Sequence, residues 1–446
     1  MNCLYIVHCV DTEGPLYESP EVPFSQIKKV FGIEIEPTKE NLTKLINKEM
    51  DLDGQEEAVF NLIDPHKIAI NGTWAELDSY LSIVTSDSFR NELLDSNGNG
   101  WIYNWFCLDH VGFSGENPRR RDSGHHKVFD KYYKMVAEQR RGDLIQFHHH
   151  PVSLSGNYHE CGTAFWGRTT LNDILTRKVI DREWFPSVYR PGFHTERPDS
   201  NWFLEQWIPF DYGNQSVENK DTDQPDLADG RFGDWRHAPL EWKPYHPDHD
   251  DYQKKGSCRR WITRCLNMYA RLREITQNDV DEAFNLAQKE GNAILAFTDH
   301  DFKDMAFDVN RMREFIKESS RKNPDVSFFF VDAITAMREC CHLEYSDINL
   351  SIEIKTAYNK PIMSVSSETP IFGPQPYLAL KTKNGKYIWD NFDFQGANHW
   401  SYTFDGDSIR FEEIEKIGVA ANNSYGKTIV CLYDVDEDKM TKKTWN

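Results

Sequence analysis

The chain has 446 residues and a mass of 52.2 kDa, too long for one ordinary core and long enough for a large barrel with a smaller unit attached. Its formal charge of −20 argues against nucleic acid or an anionic membrane surface as a partner, because both require net attraction to phosphate. With 39% hydrophobic residues, and no run near the roughly 20 apolar residues that cross a bilayer, neither disorder nor a membrane span is expected.

Residues 4–10 read as a first core strand, an apolar run broken by His8 and closing on Asp11 and Glu13. No basic segment precedes it, so no signal peptide is expected. The nine cysteines are odd in number, scattered and without a C-x-x-C pair, which disfavours a disulfide framework or zinc ribbon and favours a reducing, cytoplasmic setting. The Asn-x-Ser/Thr triplets at Asn41, Asn71, Asn214, Asn349 and Asn422 are then chance matches. Asp11-Thr12-Glu13-Gly14 places two carboxylates at i and i+2 on one side of an extended end. Such a pair can divide into a metal ligand and a general base, and a solvated turn is the plain alternative.

Residues 18–64, charged and proline-bearing, read as an insertion over the barrel mouth or an edge subdomain, and 74–81 as a helix. Asp95-Ser96-Asn97-Gly98-Asn99-Gly100 opens like a calcium loop, but its twelfth position is Phe106 where a bidentate carboxylate belongs, so a turn is expected. Strand-like runs at 101–108, 144–150, 293–298 and 327–331 alternate with helical patterns at 279–289 and 309–322, the pattern of a parallel β/α architecture.

The run 144–150 ends in His148-His149-His150, three imidazoles that a core does not otherwise accept. On a strand His148 and His150 share a face and His149 points away. With a carboxylate they form a common ligand set for zinc and other late divalent metals. Tyr189-Arg190-Pro191-Gly192-Phe193-His194 follows a short strand at 186–189, where an arginine can orient a carboxylate or simply precede a Pro-Gly turn. Thr298-Asp299-His300-Asp301 gathers polar residues at a strand's C-terminal end, where β/α folds carry their chemistry, and His300 suits general-acid duty. The segment 247–251 reads as a solvated loop, and Arg119-Arg120-Arg121 as a local basic exception to the acidic balance.

Trp101, Trp105, Trp166, Trp202, Trp235 and Trp242 fit a cleft with sugar-stacking faces, burial in the core being the alternative. Trp105, Trp235 and His194 are the candidates for substrate contact. From about residue 341 the chain turns to short β-prone runs at 350–356, 377–382, 401–404 and 428–434, the pattern of a β-sandwich. The expected division is therefore 1–340 and 341–446, and a chain truncated near Glu339 is expected to stay folded.

Taken in order, Asp11-x-Glu13, His148-x-His150, Arg190-Pro191-Gly192 and His300 resemble the successive motifs of the polysaccharide deacetylase family, which contains chitin, peptidoglycan and xylan deacetylases. The resemblance covers roughly residues 3–335. It implies a distorted (β/α) barrel, with Asp11 as base, Glu13, His148 and His150 as ligands of a divalent metal (zinc, with cobalt or nickel as alternatives), Arg190 positioning the base and His300 as acid. The implied activity is removal of an acyl group, N-acetyl in the first instance, from a sugar or polysaccharide. In the family the second acid is usually Asp and the histidine pair His-x-x-x-His, so this chain resembles a divergent branch, some of whose members are associated with surface-polysaccharide synthesis. A non-catalytic glycan-binding protein, and a hydrolase of non-sugar C–N bonds, are the alternatives.

Overall fold

The computed structural model describes residues 2–15, 21–67, 70–108, 126–151, 170–218, 233–270 and 273–446. Arg119, Arg120, Arg121, Cys161 and Trp166 lie outside them.

Seven parallel strands close into a barrel: β1 (Asn2–Thr12), β2 (Tyr103–Leu108), β3 (Leu144–His149), β4 (Val188–Pro191), β5 (Phe210–Asn214), β6 (Trp261–Asn267) and β7 (Asn292–His300). Closure depends on β1, which pairs with β7 along its length and with β2 through His8–Thr12. An eighth strand, β8 (Val326–Phe330), pairs with the lower half of β1, Asn2–Ile6. The open edge of β8 is capped by the 95–99 turn. Phe330 N donates to Asp95 Oδ2 (3.2 Å), and Ser96 exchanges hydrogen bonds with Phe328. The calcium-like segment is thus a turn whose carboxylate is taken up by backbone amides.

Residues of the barrel strands are buried on both faces, as parallel sheets require. Inward-facing Val7, Cys9, Phe106, Phe210, Tyr212, Ile294 and Ala296 share a cluster with the last barrel helix, Ala333–Cys340.

The segment after β1 forms three helices, α1 (Glu21–Phe31), α2 (Lys39–Ile46) and α3 (Glu56–Ile63), around a small core of Phe24, Ile27, Leu45, Val59 and Ile63. Its exit docks beside the barrel mouth: Ile70 N and Asn71 N donate to Phe302 O, and His66 stacks on Phe307 at 4.0 Å. A capping box, Thr73 with Glu76, starts α4 (Trp74–Val84), and α5 (Asp87–Arg90) follows. The outer layer continues with α6 (Lys127–Gln139), α7 (Thr170–Arg182) and α8 (Pro198–Trp207). Then come α9 (Gln277–Glu290), which Gly291 ends at φ +89°, α10 (Met305–Lys322) and α11 (Ala333–Cys340). No helix among the described residues is long and apolar enough to cross a membrane.

The C-terminal region forms two antiparallel sheets. One orders β13 (Asp393–Gly396), β14 (His399–Thr403), β10 (Lys360–Ser367) and β9 (Leu350–Ala357). The other orders β12 (Tyr387–Asp390), β11 (Tyr377–Thr382), β15 (Ile414–Asn422), β16 (Thr428–Asp434) and β17 (Lys439–Trp445). Their inner faces share one cluster, with Met363, Val365 and Trp400 against Leu378, Leu380, Val419 and Cys431.

The outer face of the five-stranded sheet is not free. Tyr377, Ala379, Ala420 and Val430 belong to the barrel's own outer core, packing with Leu171, Ile174, Leu175, Val179 and Ile180 of α7. A methyl group on Gly418 would lie 2.5 Å from Val179 Cγ1, which shows how closely β15 approaches that helix. Asn422 Nδ2 donates to Pro186 O and Trp207 O, and Trp445 Nε1 to Glu183 O. This changes the expected outcome of truncation. A chain ending at Glu339 bares the apolar side of α7 and should lose near-UV circular dichroism and bind a hydrophobic dye. A soluble product with cooperative unfolding would show that the barrel core is sufficient after all.

Candidate metal centre

The C-terminal ends of β1, β3, β4 and β7 converge on one buried group. Alternation along β1 puts Asp11 on the inward side with Val7 and Cys9, and Glu13 follows just past the strand. On β3 the same alternation sends His148 inward and leaves His149 on the side of Phe147, whose ring lies nearly parallel to it at 6.2 Å. His150 continues the inward set beyond the strand end. The expectation that His148 and His150, but not His149, share a face is met.

The ligand atoms of Glu13, His148 and His150 all lie within 4.8 Å of one another, and the three residues are buried. His150 Nε2 stands 3.0 Å from Glu13 Oε1 and 2.9 Å from His148 Nε2. His148 Nδ1 donates to Arg190 O at 3.0 Å. A carbonyl can only accept, so the Nδ1 proton is fixed and the Nε2 lone pair faces the site, the tautomer a metal requires. Gly192 makes room for the second imidazole: a Cβ there would lie only 2.3 Å from His150 Cδ2 and 2.4 Å from Cγ. The Pro-Gly step is therefore a clearance for a ligand as well as a turn. Two imidazoles and a carboxylate fit a divalent cation such as zinc.

Asp11 sits beside this set, its Oδ1 3.6 Å from His148 Nδ1. Arg190, fully buried, holds it from the other side, with Nε 2.8 and 3.0 Å from the two carboxylate oxygens and Nη1 donating to Tyr212 O. Burial works against the guanidinium charge, but Asp11, together with Cys265 and Cys9, outweighs it and holds Arg190 above its usual range. His300 closes the group, Nε2 4.0 Å from Asp11 Oδ2, with a side chain still 29% exposed.

No family model and no curated protein matches this chain. The case for the site therefore stands on its own geometry.

His194 enters through Arg190, whose Nη2 donates to Nδ1 at 3.2 Å and so leaves the ring hydrogen on Nε2. Phe193 and His194 both have φ +51°, two successive non-glycine residues in the left-handed region. Gly233 N, donating to Phe193 O, and Trp235 Nε1, donating to His194 O at 2.8 Å, hold that strained turn.

The aromatic expectations need correction. Trp105 is fully buried on the outer side of β2, packed on Tyr103 and Tyr132 with Nε1 donating to Asp143, and offers no face to a sugar. Trp235 is equally buried and braces the His194 turn from behind, as its bond to His194 O shows. Trp101 and Trp242 are also core residues, and Trp202 stacks on His249. Sequence reasoning overlooked Asp301, whose carboxylate accepts from Glu13 N and Gly14 N although burial pushes it up to about 7.

Burial pushes His148, His194 and His300 below the usual imidazole value, with Asp11 and Glu13 opposing the shift at His148 and His300. Neutral imidazoles are the ligand-competent form. The clearest consequence for stability comes from His8, buried against Trp101, Tyr103 and Phe297 of the outer core as acceptor of Trp101 Nε1 and pushed down to about 3. The unfolded chain takes up this proton near 6.5 and the folded one does not, so the contribution is complete above 6.5 and declines as pH falls toward 3. Each unit in that window costs about 1.4 kcal/mol. Thermal midpoints measured over it should fall less steeply for His8→Phe than for wild type, whatever the variant's absolute stability, and parallel curves would refute the assignment.

Proposed function

We propose that this protein is a metal-dependent hydrolase that removes an acyl group, N-acetyl in the first instance, from a sugar or polysaccharide. The observation that carries the hydrolase reading is the placement of Asp11. A carboxylate clamped by a buried arginine stands beside, but not within, a buried Glu13-His148-His150 set, with a partly open histidine opposite. The sugar assignment rests on the resemblance of the ordered motifs to polysaccharide deacetylases, since the core tryptophans do not contribute to it.

When bound, the divalent cation supplies electrophilic polarisation of the acyl carbonyl and of a water. Glu13, His148 and His150 would hold it. Asp11 accepts the proton of the attacking water, and Arg190 keeps its carboxylate oriented through both oxygens. His300, which burial holds below the usual imidazole value, takes on Nε2 the proton that Asp11 received from the water, across the 4.0 Å to Asp11 Oδ2, and passes it to the departing amine or alcohol, which leaves Asp11 and His300 as they began. His194 Nε2–H, its tautomer set by Arg190, is a donor for the carbonyl oxygen as it gains charge.

The test is acetate release from N- and O-acetylated oligosaccharides set against linear acetamides, with and without chelator. Chelator-sensitive release from sugars is expected. Release from linear amides alone would move the substrate to non-sugar C–N bonds, and glycan binding without release would make the protein a binding module.

A further inference from the structure

Glu13 follows the last residue of β1 and lies past the β1–β2 register, which ends at Thr12, so strand pairing does not fix it. Its main chain is held by Asp301, which is fully buried. Asp301 Oδ1 accepts from Glu13 N at 3.0 Å, and Oδ2 accepts from Gly14 N at 2.9 Å and from the Tyr132 hydroxyl at 2.7 Å. Two successive backbone amides converge on one carboxylate because Gly14 adopts φ +74°, forming the kind of concavity that binds anions. Asp301 is itself anchored: its N donates to Asp11 O and its carbonyl accepts from Asn71 Nδ2. Through its side chain Asp301 thus ties the end of β7 to the two residues after β1 and to α6, and through its backbone to Asp11 and to the exit of the α1–α3 segment.

We infer that Asp301 is a positioning residue for the metal centre, holding the Glu13 backbone so that its carboxylate meets His150 Nε2. The inference rests on the metal reading above and goes beyond it by assigning the outer partner of a ligand. An asparagine at 301 retains the shape but turns one acceptor into a donor, so either Glu13 N–H or Gly14 N–H faces an N–H group and the loop must shift. A carboxylate that merely staples β1 to β7 would lower stability when replaced and leave metal affinity alone. One that positions Glu13 changes the site itself.

The experiment is titration of metal-free protein with cobalt(II) against a competing chelator, read both as affinity and as the visible absorption of the bound ion. Asp301→Asn should bind about 10- to 100-fold more weakly than wild type with an altered spectrum. Leu81→Ala, a core change in α4 that loses stability away from the site, should bind as wild type does. Wild-type affinity and spectrum in Asp301→Asn overturn the inference, whatever its stability. Should that variant not fold, Tyr132→Phe removes one hydrogen bond to Asp301 Oδ2, and a few-fold weakening is expected; unchanged affinity there overturns it equally. Failure of the wild-type protein to bind cobalt or zinc marks a different defeat, that of the metal reading, and takes this inference with it.

Discussion

Asp11→Asn should retain stoichiometric metal and lose turnover by about 10²- to 10⁴-fold, the usual cost of a missing general base. The amide oxygen can still accept from Arg190 Nε, which contacts both Asp11 oxygens, so the clamp survives while the basic oxygen is lost. Because Asp11 Oδ1 lies 3.6 Å from the non-ligating nitrogen of His148, its side chain is a neighbour of the ligand set and not a member. Metal content and turnover per bound metal, measured together, decide the matter. Loss of metal with near-wild-type turnover per remaining ion would exchange the roles of Asp11 and Glu13.

A second large effect is expected at the histidine triplet. His148→Ala and His150→Ala each leave a site with two protein ligands and should abolish both stoichiometric metal and activity. His149→Gln should keep both, with a loss of stability only, because His149 faces the outer core beside Phe147. Loss of metal from His149→Gln with retention in His148→Ala would mean that the extended geometry breaks before the triplet.

These expectations were legible in the sequence because strand parity alone separates His148 and His150 from His149, and because β1 and β7 are long apolar runs ending in polar residues. The helix starting at Trp74 was equally visible, its Thr73 and Glu76 forming a capping box. The tryptophans were not legible. Every residue of β2 is buried, so its pattern carries no period-two signal to say that Trp105 faces outward and Phe106 inward. The reach of the C-terminal sheets was hidden in α7, where Thr176 and Lys178 are buried beside its apolar residues and make an enclosed helix read as half-polar. Gly192 and Asp301 act through contacts across long stretches of chain, with His150 and with Glu13, and no local pattern marks either.

The account depends most on Glu13, His148 and His150 holding a metal ion, and metal analysis of protein purified without a histidine tag addresses that directly. About one equivalent of tightly bound divalent metal is predicted, released by chelator and restored by zinc, cobalt or nickel. Less than about a tenth of an equivalent, with no gain on adding any of the three, would contradict it.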